Sequence, residues 1–79
     1  MLFRSLSWTA STSTVSGYNV YRSSVSGGPY TFLNGSLITV LTFTDLTVQS
    51  GLTYYYVTTA VDGSGNESTF SNEVIAAIP

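Results

Sequence analysis

The 79-residue chain contains no cysteine and no histidine, and only two of its residues are basic. Without cysteine the fold has no disulfide bonds, and without histidine the common zinc sites and imidazole general bases are excluded. A domain of this length must therefore be stabilised by apolar burial and strand pairing. Cysteine-free chains suit both oxidising and reducing compartments, so this absence does not decide the localisation.

Charge is also scarce, because charged residues make up 8% of the chain and the formal net charge is −2. A surface with only Arg4 and Arg22 as cations offers phosphate backbones no basic patch, so no nucleic-acid partner is expected. The apolar runs are a few residues long, too short for a membrane span, and the first residues do not have the pattern of a signal peptide. We expect no membrane partner.

What the chain does contain favours β-strands. Serine and threonine make up about a third of it, and valine, tyrosine and phenylalanine are frequent. Branched and aromatic side chains fit the pleated, half-buried surface of a sheet. The composition predicts an all-β protein.

Alternation of polar and apolar residues predicts about six strands, each ended by a turn signal. The predicted strands are 5–9, 15–22, 30–33, 37–44, 54–61 and 72–78. Many short strands with frequent glycine-rich turns favour two antiparallel sheets packed face to face. The sequence therefore predicts a β-sandwich formed by residues 1–79 as a single domain.

Several motifs occur in an order and spacing that are specific together, although each is weak alone. They are Leu6-Ser7-Trp8, Gly17-Tyr18-Asn19-Val20-Tyr21-Arg22, Thr44-Asp45, Val48-Gln49-Ser50-Gly51-Leu52-Thr53-Tyr54, Tyr54-Tyr55-Tyr56-Val57, Ala60-Val61-Asp62, Gly65-Asn66-Glu67-Ser68 and Ser71-Asn72-Glu73-Val74. In these motifs the chain, from residue 6 to 78, resembles a fibronectin type III domain of the kind found in secreted bacterial proteins. The resemblance implies an immunoglobulin-like antiparallel β-sandwich, an extracellular location and neighbouring domains in a parent protein.

The three adjacent tyrosines lie on the predicted strand 54–61, where successive side chains point to opposite faces. Tyr54, Tyr56, Thr58 and Ala60 share the face that the resemblance assigns to the core, so the hydroxyl of Thr58 is expected inside the sandwich. The resemblance also implies a tyrosine corner, in which the Tyr54 hydroxyl bonds to backbone near residues 48–51. The predicted core comprises Leu6, Trp8, Tyr18, Val20, Phe43, Tyr54, Tyr56, Ala60 and Val74.

The opposite face carries Tyr21, Tyr55 and Val57, and Tyr30 or Phe32 could extend this set into an exposed stripe. Such a stripe could stack on a sugar or bury against a protein partner. Cross-strand pairing of rings explains the same pattern without any ligand. Both interpretations remain open at this point.

Loops 10–17, 34–39 and 62–71 are the other places for a partner, with Ser64 and Asn66 as candidate contacts. Integrin-binding relatives carry Arg-Gly-Asp in the last loop; Ser64-Gly65-Asn66 stands there in this chain, so adhesion activity is not implied. Asp62, Ser64, Asn66 and Glu73 have the spacing of calcium ligands, but Glu67 occupies the position that requires glycine. We therefore interpret the loop as a hairpin turn and expect no metal or cofactor.

The resemblance also shows a departure at the N-terminus, where residues 1–5 stand in place of the family's first strand. Loss of that strand would leave unpaired backbone groups on the next strand and uncover part of the core. Such edges favour pairing between molecules. We therefore expect a homodimer, a strand swap or a higher oligomer.

Catalysis is not expected, because the four carboxylates form no evident acid–base pair and no serine has an activating base. The function predicted is a non-catalytic spacer or accessory module of an extracellular multi-domain protein. One alternative is a module that binds carbohydrate or protein through its loops or the tyrosine stripe. Another is an excised or engineered fragment with no task of its own.

Overall fold

Six β-strands make up the regular structure in this computed structural model, which describes residues 3–11 and 14–79. They are β1 (Arg4–Ser7), β2 (Gly17–Ser23), β3 (Thr31–Phe32), β4 (Thr42–Asp45), β5 (Thr53–Val61) and β6 (Val74–Ala77). Among the described residues, no helix is long and apolar enough to cross a membrane. Residues 1–2 of the expected N-terminal remnant (1–5) and residues 12–13 of the predicted loop (10–17) lie outside the described residues.

The strands form two antiparallel sheets. One contains β1 and β4, and the other has the order β3-β2-β5-β6. Side chains from both sheets meet in a buried cluster, to which β1 contributes Leu6 while β2 and β5 contribute Val20 and Tyr56. The predicted antiparallel β-sandwich is confirmed.

Strand β5 is the longest element, and its alternation matches the predicted one. Tyr54 and Tyr56 are 5% and 2% exposed and face β1 and β4 across the core. In the register between β2 and β5, Val20 lies opposite Thr58 and Tyr18 opposite Ala60. Because directly opposite residues share a face, these pairs form the inner surface of the four-stranded sheet.

The predicted strand 37–44 was wrong in its extent, since only residues 42–45 form β4. Ile38 instead exchanges two backbone hydrogen bonds with Tyr18 of β2, with N···O distances of 2.8 and 3.0 Å. Three residues later, the carbonyl of Leu41 accepts a hydrogen bond from the Trp8 amide beside β1. Residues 38–41 therefore cross from one sheet to the other, and one continuous strand could not serve both.

Seven of the nine predicted core residues lie in or against the core. Leu6, Val20, Tyr54 and Tyr56 belong to the buried cluster, Tyr18 is buried, and Trp8 and Phe43 are partly buried. Val74 was expected in the core but is 45% exposed, although its alternation partners Ala76 and Ile78 are buried. Val74 lies opposite the inward-facing Tyr56 in the register of β5 and β6, but it lines an open groove beside β1 and is therefore not covered.

Ala60 was also expected in the core and is only partly buried. It lies near the end of β5, where loop residues such as Ser11 and Val15, and not a strand, line the space beside it. A loop covers the inner face less completely than a sheet does. The sequence alternation indicates the direction of a side chain but not what stands opposite it.

Gly17 is the position where the backbone leaves no room for a side chain. A Cβ atom there would lie 2.5 Å from the Cγ of Leu37 and 2.6 Å from the carbonyl oxygen of Ile38. We predict that Gly17→Ala lowers the free energy of unfolding by about 1–3 kcal/mol, as overpacking of a tight site does. Urea denaturation checks this, with Gly35→Ala as the control because no atom lies within 4 Å of its added methyl. Equal stability of the two variants would contradict the prediction.

Candidate functional site

A buried carboxylate connects the two sheets at one end of the sandwich. Asp45 ends β4 and is 3% exposed. Its Oδ2 accepts hydrogen bonds from the Arg22 guanidinium at 2.9 Å and from the Tyr56 hydroxyl at 2.7 Å. Its Oδ1 accepts from the backbone amide and the hydroxyl of Thr47 at 2.9 and 2.6 Å. Both oxygens are thus satisfied, as a buried charge requires.

The ionisation of this group is fixed by its surroundings. Burial alone would raise the pKa of Asp45, but the hydrogen bonds from Thr47, Tyr56 and Arg22 outweigh it, and the pKa lies below its ordinary value. Burial and the neighbouring carboxylate raise the pKa of the Tyr56 hydroxyl. At neutral pH, Asp45 is therefore an ionised acceptor and Tyr56 is a neutral donor. This arrangement serves the fold. The sequence offered one signal for it, since an arginine on the inward face of β2 needs an acceptor.

The tyrosine corner is present as the resemblance implied. The backbone amide of Gln49 donates to the hydroxyl oxygen of Tyr54 at 2.9 Å. The Arg22 guanidinium lies 4.7 Å from the centre of the same ring, within the range of a cation–π contact. The first of the three adjacent tyrosines therefore serves the fold.

The loop residues Ser64 and Asn66 lie at an exposed turn that is held by its own side chains. The Oδ1 atom of Asp62 accepts hydrogen bonds from the amides of Ser64 and Asn66, both at 2.9 Å, and the Asn66 amide group donates to Oδ2 at 3.2 Å. Within the described residues, no three carboxylates group as metal ligands would. Loop 34–39 is likewise anchored, since the buried Asn34 side chain accepts from the Val20 amide at 2.7 Å.

Four aromatic rings gather on the outer face of the four-stranded sheet, the face turned away from β1 and β4. We call Tyr21, Tyr30, Phe32 and Phe70 the aromatic cluster. The Tyr21 ring lies 5.6 Å from that of Phe32 and 5.2 Å from that of Phe70, which in turn lies 5.2 Å from that of Tyr30. Phe32 and Phe70 are 48% and 52% exposed. The exposed stripe predicted from the sequence included part of this cluster but did not include Phe70.

Phe70 reaches this face because residues 67–71 run alongside β5 without being a regular strand. The amides of Ser68 and Ser71 donate to the carbonyls of Ala60 and Thr58 at 2.8 and 2.9 Å. In return, the amides of Ala60 and Thr58 donate to the hydroxyl oxygens of the two serines, each at 2.9 Å. Side-chain oxygens thus replace backbone carbonyls, and the predicted strand 72–78 begins only at Val74.

Two glutamates fix the tyrosines of the cluster. The Oε2 atom of Glu67 accepts hydrogen bonds from the hydroxyls of Tyr21 and Thr59 and from the Asn19 amide group. These hydrogen bonds, Thr59 first and then Tyr21, lower the pKa of Glu67, and the bond to Glu67 raises the pKa of Tyr21. Both carboxylate and ring are therefore held in place.

Glu73 holds the other tyrosine of the cluster, Tyr30, by a hydrogen bond. It accepts from the Gly27 amide at 2.8 Å, from the Ser26 hydroxyl at 2.7 Å and from the Tyr30 hydroxyl. These bonds lower the pKa of Glu73. They tie the turn after β2 to the residue that precedes β6.

Two members of the predicted stripe, Val57 and Tyr55, take no part in the ring contacts of the aromatic cluster. Val57 was expected to be exposed but is 3% exposed, because its cross-strand partner Tyr21 and the rest of the cluster lie on its face. Tyr55 is partly buried, and its cross-strand neighbours are Ser23 and Ile75, so it lies apart from the ring contacts of the cluster.

A groove of about 510 Å³ runs along β1, which pairs only with β4 within the described residues. We call it the β1 groove; its lining residues include Ser5, Ser7, Trp8, Thr58 and Val74. The hydroxyl-bearing Thr58 is only partly buried there, so it is not enclosed as expected. The indole Nε1 of Trp8 is buried and has no hydrogen-bond partner among the described residues.

Comparison with known proteins gives no matching family model. The chain is 52% identical over 71 residues to an amylopullulanase of Thermoanaerobacter thermohydrosulfuricus. It is 48% identical to the amylopullulanases of Thermoanaerobacterium thermosulfurigenes and Thermoanaerobacterium saccharolyticum. Each match covers 90% of this chain but only 4–5% of the enzyme, so the chain spans a small part of these relatives.

A solved structure is similar over nearly the whole chain. The crystal structure of a Fn3-like protein from Clostridium thermocellum superimposes with a TM-score of 0.88 and 42% sequence identity. The match covers 98% of this chain and 77% of that one.

We predict that Asp45→Asn lowers the free energy of unfolding at neutral pH by about 1.5–3 kcal/mol, the usual value of hydrogen bonds to a charged group. Because the folded-state pKa is depressed, the stabilisation is complete above the ordinary value of 3.8 and is lost as the pH falls through the folded-state pKa. The variant should therefore lose less stability in acid than the original chain does. Denaturant titrations from pH 7 to about pH 2 measure both effects.

Asp62→Asn is the matched control, because that carboxylate also has a lowered pKa but lies on a turn in contact with solvent. We expect it to change the stability at neutral pH less. If both substitutions had the same effect, burial of Asp45 between the sheets would not be the source of the stabilisation.

Proposed function

Because the chain belongs to the fibronectin type III-like family, we propose that it is a non-catalytic accessory module of a larger multi-domain protein and folds as one domain over residues 1–79. The observation that carries this proposal is the coverage of the relatives. The match takes in 90% of this chain and 5% of the Thermoanaerobacter enzyme, so a unit of this kind is one small segment of a long polypeptide.

The state of the carboxylates supports the absence of catalysis. Acid–base cleavage of a glycosidic bond needs one carboxyl group whose pKa is raised, so that it is protonated when it acts. The pKa values of Asp45, Asp62, Glu67 and Glu73 are all lowered. None of the four is therefore suited to donate a proton near neutral pH.

The names of the relatives suggest the setting of the module. Amylopullulanases are named for action on amylose-type glucans and pullulan, and we propose that the parent of this chain acts on such a polymer. A polymeric substrate that cannot enter the cell favours secretion, which agrees with the extracellular location that the resemblance implied. In this setting the module positions its neighbours and, as an alternative role, contacts the substrate.

The β1 groove is the proposed contact with neighbouring polypeptide. Every second residue of β1 turns its backbone groups away from β4, and the described residues supply no strand on that side. The Nε1–H of Trp8, which has no partner among the described residues, lies in the same region and would donate a hydrogen bond to a carbonyl oxygen. A strand from an adjacent domain, or from a second copy of the chain, would satisfy these groups. An excised fragment with no task of its own would have the same open groove.

A segment exchange tests the accessory role. We predict that the Thermoanaerobacter amylopullulanase keeps its activity and its thermal midpoint when its 71 matching residues are replaced by those of this chain. An enzyme that lacks the segment should unfold at a lower temperature, because neighbouring domains lose a packed surface. The isolated chain should not hydrolyse pullulan. Retained stability after deletion, or failure of the exchanged enzyme to fold, would argue against the accessory role and favour the fragment interpretation.

Self-association through β1 makes a separate prediction. Light scattering of the isolated chain should show a mass that rises with concentration towards a dimer. Ser7→Lys should weaken this association, because a charge on an edge strand opposes pairing. Thr42→Lys is the control, since it lies opposite Ser7 in the register of the same sheet but on β4. A monomer at the highest soluble concentration, or an equal effect of both substitutions, would reject pairing at β1.

A further inference from the structure

We propose that the aromatic cluster and Glu67 form a binding site for a neutral sugar chain. This inference deepens the proposed accessory role and rests on it, because it assigns the substrate contact to one place on the outer face. It is carried by a depression beside the cluster, by the hydrogen bonding of Glu67 and by the arrangement of the rings.

The depression has a volume of about 360 Å³ and is open to solvent. Its lining combines two rings with a carboxylate and hydroxyl groups: Tyr21, Thr59, Glu67, Ser68, Thr69 and Phe70. A sugar ring has an apolar face of C–H groups and a rim of hydroxyls. A site with aromatic walls and a few fixed polar groups is complementary to both.

Glu67 is built as a fixed acceptor. Three donors, from Tyr21, Thr59 and Asn19, all reach its Oε2, whereas Oε1 makes no hydrogen bond within the described residues. Hydrogen bonds from Thr59 and Tyr21 hold its pKa below the ordinary value, so the carboxylate is ionised at neutral pH. Hydrogen bonds to an ionised acceptor are stronger than neutral ones. The free oxygen therefore provides a strong and oriented partner for a sugar hydroxyl.

The rings form a row and not an isolated platform. Tyr21 is in the middle, with the more exposed Phe70 and Phe32 on either side of it. Glu67 and Glu73 hold the two tyrosines, so the row is organised before a ligand arrives and less entropy is lost on binding. A row of rings beside one acceptor fits a chain of several sugar units.

The charges of the chain argue for a neutral ligand. Arg22 is bound to Asp45 on the inner face, and Arg4 lies on β1, so neither cation of the chain is in the cluster. The two carboxylates on this face would repel anions. At about 360 Å³ the depression has the size of a small-ligand pocket, whereas a stable protein contact buries about 800 Å² on each partner. These observations favour a polyhydroxyl ligand over a protein.

The test is a titration of the isolated, isotope-labelled chain with maltohexaose, followed by amide chemical shifts. We expect saturable shifts at Thr59, Glu67 and Phe70. Phe70→Ala should weaken binding by about tenfold, whereas Phe3→Ala should leave it unchanged. Phe3 is the matched control, because it is a phenylalanine with 58% exposure that lies outside the cluster. Glu67→Gln should weaken binding by a smaller factor, because it removes the charge but keeps an acceptor.

The proposal is overturned if no saturation occurs at millimolar maltohexaose, if the shifts lie around the β1 groove, or if Phe3→Ala weakens binding as much as Phe70→Ala. It is equally overturned if the face instead captures a neighbouring domain of the parent and no sugar. Should Phe70→Ala fail to fold, the shift map of the original chain decides alone. If the segment exchange succeeds but the chain binds no sugar, the accessory role stands and this site is rejected. If the exchange fails but the chain binds sugar at these residues, the site stands and the accessory role is rejected.

Discussion

The buried carboxylate of Asp45 is the interaction on which this end of the sandwich depends. An unpaired charge between two sheets would destabilise the fold strongly, yet here four hydrogen bonds from Arg22, Tyr56 and Thr47 satisfy both oxygens. Those donors belong to β2, to β5 and to the loop after β4. The carboxylate thus determines how the end of β4 is placed over the four-stranded sheet. The guanidinium that it binds lies in turn over Tyr54, whose hydroxyl holds the Gln49 amide.

The polar groups inside the sandwich and those on its surface have different roles. Both oxygens of the Asp45 carboxylate already accept hydrogen bonds inside the sandwich. The Asp62 side chain accepts hydrogen bonds from the backbone of the turn in which it lies. The acceptors with solvent contact lie on the outer face, beside the rings. The apolar surface left uncovered by the small sheet lies on the other side, along β1. The proposed place for chain pairing is therefore on one side of the domain, and the proposed place for a sugar chain is on the opposite side.

Much of the fold followed from the sequence, because strand alternation and turn residues act locally. Tyr54 and Tyr56 of β5 are inward as predicted, and the family motifs indicated the tyrosine corner. Alternation alone could not show that residues 38–41 cross between sheets, because it does not indicate which strand each residue pairs with. It also could not place Phe70, because its position depends on hydroxyl oxygens that stand in for backbone carbonyls. The exposure of Val74 depends on which residues lie opposite, and a one-dimensional pattern does not contain that information.

The two serines beside β5 have a consequence for association. The amides of Thr58 and Ala60 already donate to serine hydroxyls of the same chain, so they are not available to an incoming strand. The segment that carries these serines does not form a regular strand with a ladder of backbone hydrogen bonds. The part of β5 next to Ser68 and Ser71 is consequently sealed. Growth of the sheet by foreign polypeptide is thereby blocked on this border, so any pairing with another chain must use a different edge, such as that of β1.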